Sequence, residues 1–252
     1  MYKRLVATLF VLLLCAGTAQ AAAPFQVNGD VGLSSLIALS DGRMQSMASI
    51  LEAIAESPSV QTGQWSQIQR PLREAAALGI PGSLLFAQPD GTYWTLAGGK
   101  INANVADRDY FKTAMSGRIS IGDLITGRST GKAQTMVAVP VRNASGSVIG
   151  VLAGSVFLEE LSAALKQELG IGPNVIFWAI DGSGKIAIHS DASNLFVEPR
   201  KMSPALAKVG DEMLANDSGT MTYSFRGAER TIVYRKSNVS GWRYGFGIVT
   251  GR

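Results

Sequence analysis

The sequence has one cysteine and one histidine in 252 residues. A single thiol excludes a disulfide framework and a thiolate zinc cluster. A single imidazole leaves no His-rich metal site and little room for histidine-based catalysis. Charged residues are few, 17% against 46% hydrophobic ones, a balance too apolar for a disordered chain. Neither sign of charge forms a run of five, so nucleic acid and membrane surfaces are poor partners. The 28 glycines follow no G-X-Y period, which excludes collagen. After the first residues no apolar stretch reaches the ~20 residues of a membrane span; the longest, such as 148–158, contain glycines. These absences point away from an enzyme, a metal or a cofactor, and leave open only catalysis built on carboxylates.

What is present begins with a sorting tag. Lys3 and Arg4 precede an apolar run over residues 5–16, and Ala19-Gln20-Ala21 offers small residues where a signal peptidase reads. This is the layout of a secretory signal peptide over residues 1–21, cut after Ala21; the alternative is an uncleaved anchor. Cys15 follows Leu14, not the small residue of a lipoprotein signal, and leaves with the peptide. Loss of Lys3 and Arg4 lowers the formal charge from +4 to +2. The mature chain is expected to be periplasmic or secreted.

Residues 30–57 read as one long helix within an N-terminal segment 22–58, because Leu33, Ile37, Met44, Met47, Leu51 and Ile54 recur at spacings of three and four or their sum. Ser40 alone interrupts this seam and Pro58 ends it. Such a stripe either pairs with a second copy, giving a homodimer, or lies against the chain's own sheet. A second helix is expected over 66–78. A hairpin follows at 83–87 and 93–96 around Pro89-Asp90-Gly91, then a short helix at 107–116 opened by Asp107, strands at 133–141 and 148–157, and a helix at 159–169. The glycines and proline at 170–173 mark a boundary between modules 59–170 and 171–252. Beyond it the theme repeats, with a hairpin at 175–180 and 185–189, a helix at 204–215, and strands at 219–225, 230–236 and 242–249. The order implies an α+β chain of two modules with antiparallel sheets.

Several motifs occur in a telling order. Asp107-Arg108-Asp109-Tyr110-Phe111, Ser129-Thr130-Gly131-Lys132, Ala138-Val139-Pro140-Val141 and Gly146 to Leu152 resemble the membrane-distal half of a double Cache domain. Asp181-Gly182-Ser183-Gly184-Lys185 with His189, and Gly241-Trp242, resemble the proximal half. The resemblance covers the chain after the signal peptide and implies two PAS-like Cache modules behind a long helix. It further implies an extracytoplasmic sensor of chemoreceptors, histidine kinases and cyclic-dinucleotide enzymes, with a small-molecule pocket in the distal module. Family members usually continue into a second transmembrane helix. The chain ends after its last strand, so it is expected to be free-standing and to hand its ligand state to a membrane receptor or sensor kinase.

In the amino-acid-binding branch of that family, an Arg and aromatics hold the ligand carboxylate, while a Tyr and two Asp hold the ammonium. Arg108 with Tyr110 matches the first part; Arg128 and Ser155 stand near the positions of the acids. With Ser129, Thr130 and Lys132 nearby in sequence, the set favours a small organic anion, since guanidinium forks suit carboxylates. Tyr93 and Trp94 point to opposite faces of one strand, and one of them is expected to line the pocket. Other resemblances are weaker. Gly122 to Ser129 nearly spells a phosphate loop but has Arg128 where Lys is needed. Asp181 to Gly184 starts like a calcium loop yet lacks its sixth-position glycine and closing glutamate. His189 reads as a structural or solvated residue. The expectation is a small-molecule-binding sensor, with a structural adaptor or a carboxylate-based hydrolase as alternatives.

Overall fold

The computed structural model describes residues 29–79 and 82–250; the signal segment 1–21 and its cleavage point lie outside the described residues. Among the described residues no helix is long and apolar enough to cross a membrane.

Helix α1 spans Gly29–Ala55. Its buried stripe runs through Leu33, Leu36, Ser40, Asp41, Met44, Met47, Leu51 and Ala55, one face of a 3.6-residue period. The face is covered by this chain's own sheets, which decides between the two expectations for the seam: Leu33, Met44, Met47 and Leu51 are not free to meet a partner helix. Leu36 and Ala55 take the places expected of Ile37 and Ile54, which are only half-buried. Close approach needs glycine. A Cβ on Gly32 would stand 2.2 Å from the Phe246 ring, and one on Gly154 would stand 2.5 Å from Met47 Sδ. The start of α1 thus lies on the second sheet and its later turns on the first. The helix α2 (Trp65–Ala77) follows, with Trp65 stacked on Trp94.

The first sheet contains β1 (Leu84–Ala87), β2 (Thr92–Thr95), β3 (Gly99–Asn104), β4 (Ser120–Thr126), β5 (Ala133–Arg142) and β6 (Val148–Phe157), in the order β3-β2-β1-β6-β5-β4. Helix α3 (Asp109–Met115) sits between β3 and β4 in sequence. Alternation sorts the side chains. Leu84, Phe86, Val137, Val139 and Leu152 join the core under α1, and Leu85, Tyr93, Met136, Ala138 and Val151 join Tyr110 and Phe111 of α3 on the opposite face.

Helix α4 (Leu158–Glu168) leads to the second sheet, made of β7 (Val175–Ile180), β8 (Ile186–His189), β9 (Ser218–Phe225), β10 (Ala228–Lys236) and β11 (Arg243–Thr250), in the order β8-β7-β11-β10-β9. Helix α5 (Pro204–Ala215), opened by a Ser203 hydroxyl that accepts the Leu206 N–H at 3.2 Å, packs on one face. All pairings in both sheets are antiparallel. Without β3, the first order matches the second strand for strand, with α3 in the place of α5. The expected α+β architecture of two PAS-like modules behind a long helix is what the chain adopts.

Two polar joints tie the halves together. The buried Asp41 carboxylate accepts from Ser237, Ser240 and Tyr244 at 2.6, 3.1 and 3.1 Å, and Ser40 bonds the same Tyr244 hydroxyl at 2.9 Å. The seam's one polar step is therefore a contact with the proximal module. The Trp242 indole donates to the Gly122 carbonyl at 2.8 Å. There β4 shifts register at Gly122, whose φ of +103° and contact with Ser240 exclude a side chain. This explains the glycine that made the segment resemble a phosphate loop.

Candidate functional site

The distal candidates gather at the N-terminus of α3. Arg108, not Asp107, is the residue before the helix, and its side chain forms no cap. Its Nη2 instead donates to the Thr126 carbonyl at 3.1 Å. Asp107 has a different role. Arg128 grips its carboxylate through two bonds of 2.7 Å, Nη1 to Oδ1 and Nη2 to Oδ2, and also donates to the Asn104 carbonyl. That grip holds the Asp107 carboxyl down to about 2. Tyr110 lies close enough for both arginines, Tyr93 and Asp107 to act on it; burial dominates and pushes its hydroxyl well above the usual range. The structure thus brings Tyr93, Arg108, Tyr110 and Arg128 together, with Asp107 among them.

The remaining candidates have other partners. Thr130 donates to Gln134 Oε1 at 2.9 Å, and the buried Gln134 amide reaches Met136 Sδ at 3.3 Å. Ser129 is exposed. The buried Ser155 hydroxyl accepts the Ser83 N–H at 2.9 Å and so fixes the entry to β1. Lys132 lies 3.7 Å from Glu160 and over the Phe157 ring, on the α4 side and apart from the two arginines. Tyr93 is the strand residue that faces α3, while Trp94 stacks on Trp65 and Phe86 across the sheet. The space between α3 and the sheet is filled, with Tyr93, Tyr110, Phe111 and Met136 at 2%, 1%, 4% and 0% exposure.

The corresponding face of the proximal sheet is different. Beneath α5 lies a cavity of about 270 Å³ whose wall includes Trp178, His189, Leu206, Tyr223, Phe225 and Arg230. Cross-strand register builds it. Tyr223, Arg230 and Val249 are direct neighbours across β9, β10 and β11, and Trp178 stands opposite His189. Burial pushes His189 down to about 4, so the ring is neutral. Its Nδ1 accepts the Asp191 N–H at 2.8 Å, which leaves the ring proton on Nε2. Burial also pushes the Tyr223 hydroxyl up to about 12.

Apart from His189, which belongs to the proximal motif, no motif marks these residues, yet the sequence carries a signal for one of them. Ala228, Arg230, Ile232 and Tyr234 alternate along β10 onto one buried face, so Arg230 is a cation on the apolar side of an amphipathic strand. The burial of His189 comes from cross-strand packing against Trp178, which its place in the sequence does not reveal.

Two antiparallel sheets of matching strand order, each with a helix on one face and a long helix bracing both, define a tandem PAS-like α+β module. The sequence profile of the Cache domain family, in its double form, matches residues 30–250, and the chain belongs to that family. Its fold is shared with the ligand-binding domain of the Pseudomonas aeruginosa PAO1 amino acid chemoreceptor PctC, solved with GABA (20% identity, 88% of this chain and 95% of that one, TM-score 0.65). It is shared with the ligand-binding domain of the Pseudomonas fluorescens chemoreceptor CtaA in complex with L-serine (15% identity, 87% and 93%, TM-score 0.67). The extracellular domain of a putative histidine kinase, rpHK1S-Z16, is similar too (15% identity, 88% and 92%, TM-score 0.70). No curated protein matches the chain.

Proposed function

We propose that the chain is an extracytoplasmic sensor domain that binds a small organic anion in its distal module and passes its ligand state to a membrane receptor or sensor kinase, without catalysis. One observation carries this reading: Arg108 and Arg128 both lie near enough to Tyr110 and Asp107 to act on them, and a carboxylate, that of Asp107, already lies in the Arg128 fork. A ligand carboxylate has the same geometry and charge, and an exposed ion pair is cheap to open. The similar chemoreceptor domains were solved with GABA and L-serine, both of which carry a carboxylate. Ser155, occupied by the Ser83 backbone, and Arg128 offer no acid for an ammonium, which favours a simple anion over an amino acid.

A thermal-shift screen of organic acids, amino acids and amines tests the reading. A ligand at 100 times its Kd stabilises the fold by about 2.7 kcal/mol. Arg108→Ala is expected to remove most of the affinity and keep the fold; a variant that binds as wild type does, or a screen without any shift, contradicts the proposal. A structural adaptor is the second reading. The filled distal face favours it, and the same screen decides between the two.

A further inference from the structure

We infer that the proximal module carries a ligand site of its own, in which Arg230 receives the carboxylate of a short-chain organic acid whose apolar end lies against Trp178, Leu206 and Phe225. Arg230 is 9% exposed, on the face of β10 that also carries Ala228, Ile232 and Tyr234. A cation in such a place is costly unless it is paired. Its Nη1 donates to the carbonyls of Phe225 and Ala228, and the Phe225 ring lies 5.1 Å from the guanidinium carbon. Its Nε is buried with no acceptor. Among the described residues no carboxylate forms an ion pair with Arg230. Protein groups therefore satisfy one side of the guanidinium and leave the rest.

Other side chains of the wall can donate as well. Trp178 Nε1 is buried and has no acceptor. His189 carries its proton on Nε2, since Nδ1 is occupied by the Asp191 N–H. Tyr223, directly across from Arg230, is the next residue of the row. The guanidinium, the indole N–H and His189 Nε2 only donate and the Tyr223 hydroxyl can donate, so a group that only accepts, such as a carboxylate, complements them.

Charge narrows the choice. The cavity's ionised residues are Arg226, Arg230 and Asp191, with His189 neutral. Asp191 Oδ1 is already engaged by the N–H and hydroxyl of Ser193 at 3.1 and 2.8 Å. Two cations against one anion match a monoanion better than a zwitterion. The volume, about 270 Å³, falls just under the roughly 300–1,000 Å³ of sites for drug-sized ligands, which suits an acid of few carbons. Neither Arg108 nor Arg128 takes part, so the inference does not depend on the distal reading.

Calorimetry on the full chain with acetate, propionate and butyrate tests it. At least one of the three acids is expected to bind wild type, and Arg230→Gln to lose at least about tenfold in affinity, the equivalent of one charge-assisted hydrogen bond. Since Arg230 also holds two carbonyls, Leu206→Phe is the second variant: it keeps the arginine, enlarges a wall residue, and is expected to lose binding as well. If none of the three acids binds, or if a folded Leu206→Phe protein binds like wild type, the proposal is overturned. Binding lost in Arg108→Ala but retained in both proximal variants assigns the ligand to the distal module and refutes this inference alone.

Discussion

The distal and proximal modules share a strand order and differ in what their arginines hold. In the distal module Arg128 closes on Asp107 of its own chain, and Tyr93, Tyr110 and Met136 fill the face under α3. In the proximal module the face under α5 keeps a cavity, and Arg230 has backbone carbonyls but no carboxylate. One scaffold thus carries an arginine paired with an internal carboxylate and an arginine with none. The difference teaches that two modules of one strand order are told apart by which charged groups have partners, which motifs do not report.

The largest expected effect tests whether the distal face is a sealed core. Tyr110→Ala removes a 1%-exposed ring and is expected to cost about 3–5 kcal/mol by denaturant melts, the range for aromatic-to-alanine changes in a packed core. Tyr223→Ala, at the edge of an existing cavity, is expected to cost clearly less. Equal losses would erase the contrast between the two faces.

The next effect is a pH dependence located in the proximal wall. His189 titrates near 4 in the folded chain because burial disfavours its cation; the Asp191 charge opposes that shift and Arg230 adds to it. As pH falls through the ordinary histidine value of 6.5, the unfolded chain takes up a proton that the folded chain refuses. Stability therefore declines between about pH 6.5 and 4, by up to about 3 kcal/mol. His189→Gln is expected to flatten that part of the profile, read as the difference from wild type in melts between pH 7.5 and 4.

Two smaller effects sharpen the distal half. Ser155→Ala leaves the Ser83 N–H without its acceptor and is expected to cost about 1–2 kcal/mol with no change in ligand affinity, as befits a strand-closing residue. Asp107→Asn frees the Arg128 fork while leaving the melting temperature essentially in place, because the pair is exposed. It is expected to raise distal affinity for carboxylates; reduced affinity would mean that Asp107 supports the site instead of blocking it.

Much of the architecture was legible in the sequence because it rests on local periodicity. The β5, β6 and β7 strands are short apolar runs buried on both faces, β10 alternates, and α5 and the long α1 follow a three-four stripe. The edge strands β3 and β4 were not. Gly99, Lys100, Asn102 and Asn104 give β3 a half-exposed, polar pattern, and the Gly122 register shift breaks the alternation of β4. The distal cluster of Arg108, Tyr110 and Arg128 could be read from motifs, because its members lie at a helix start and the loop facing it. Ion pairing could not: Asp107 and Arg128 meet through tertiary packing. The proximal wall was less visible still, since Trp178, His189, Tyr223 and Arg230 come from different strands, and only their register brings them together.

The most direct measurement is an indole ¹⁵N–¹H spectrum of the chain during titration with the acid that binds. The four tryptophans give separate probes; Trp178, in the cavity wall without an acceptor, reports on the proximal site, and Trp242, bonded to Gly122, serves as the reference. The account predicts a saturable displacement of the Trp178 resonance with Trp242 fixed, absent in Arg230→Gln. A Trp178 resonance that stays in place while the acid saturates the protein would contradict it.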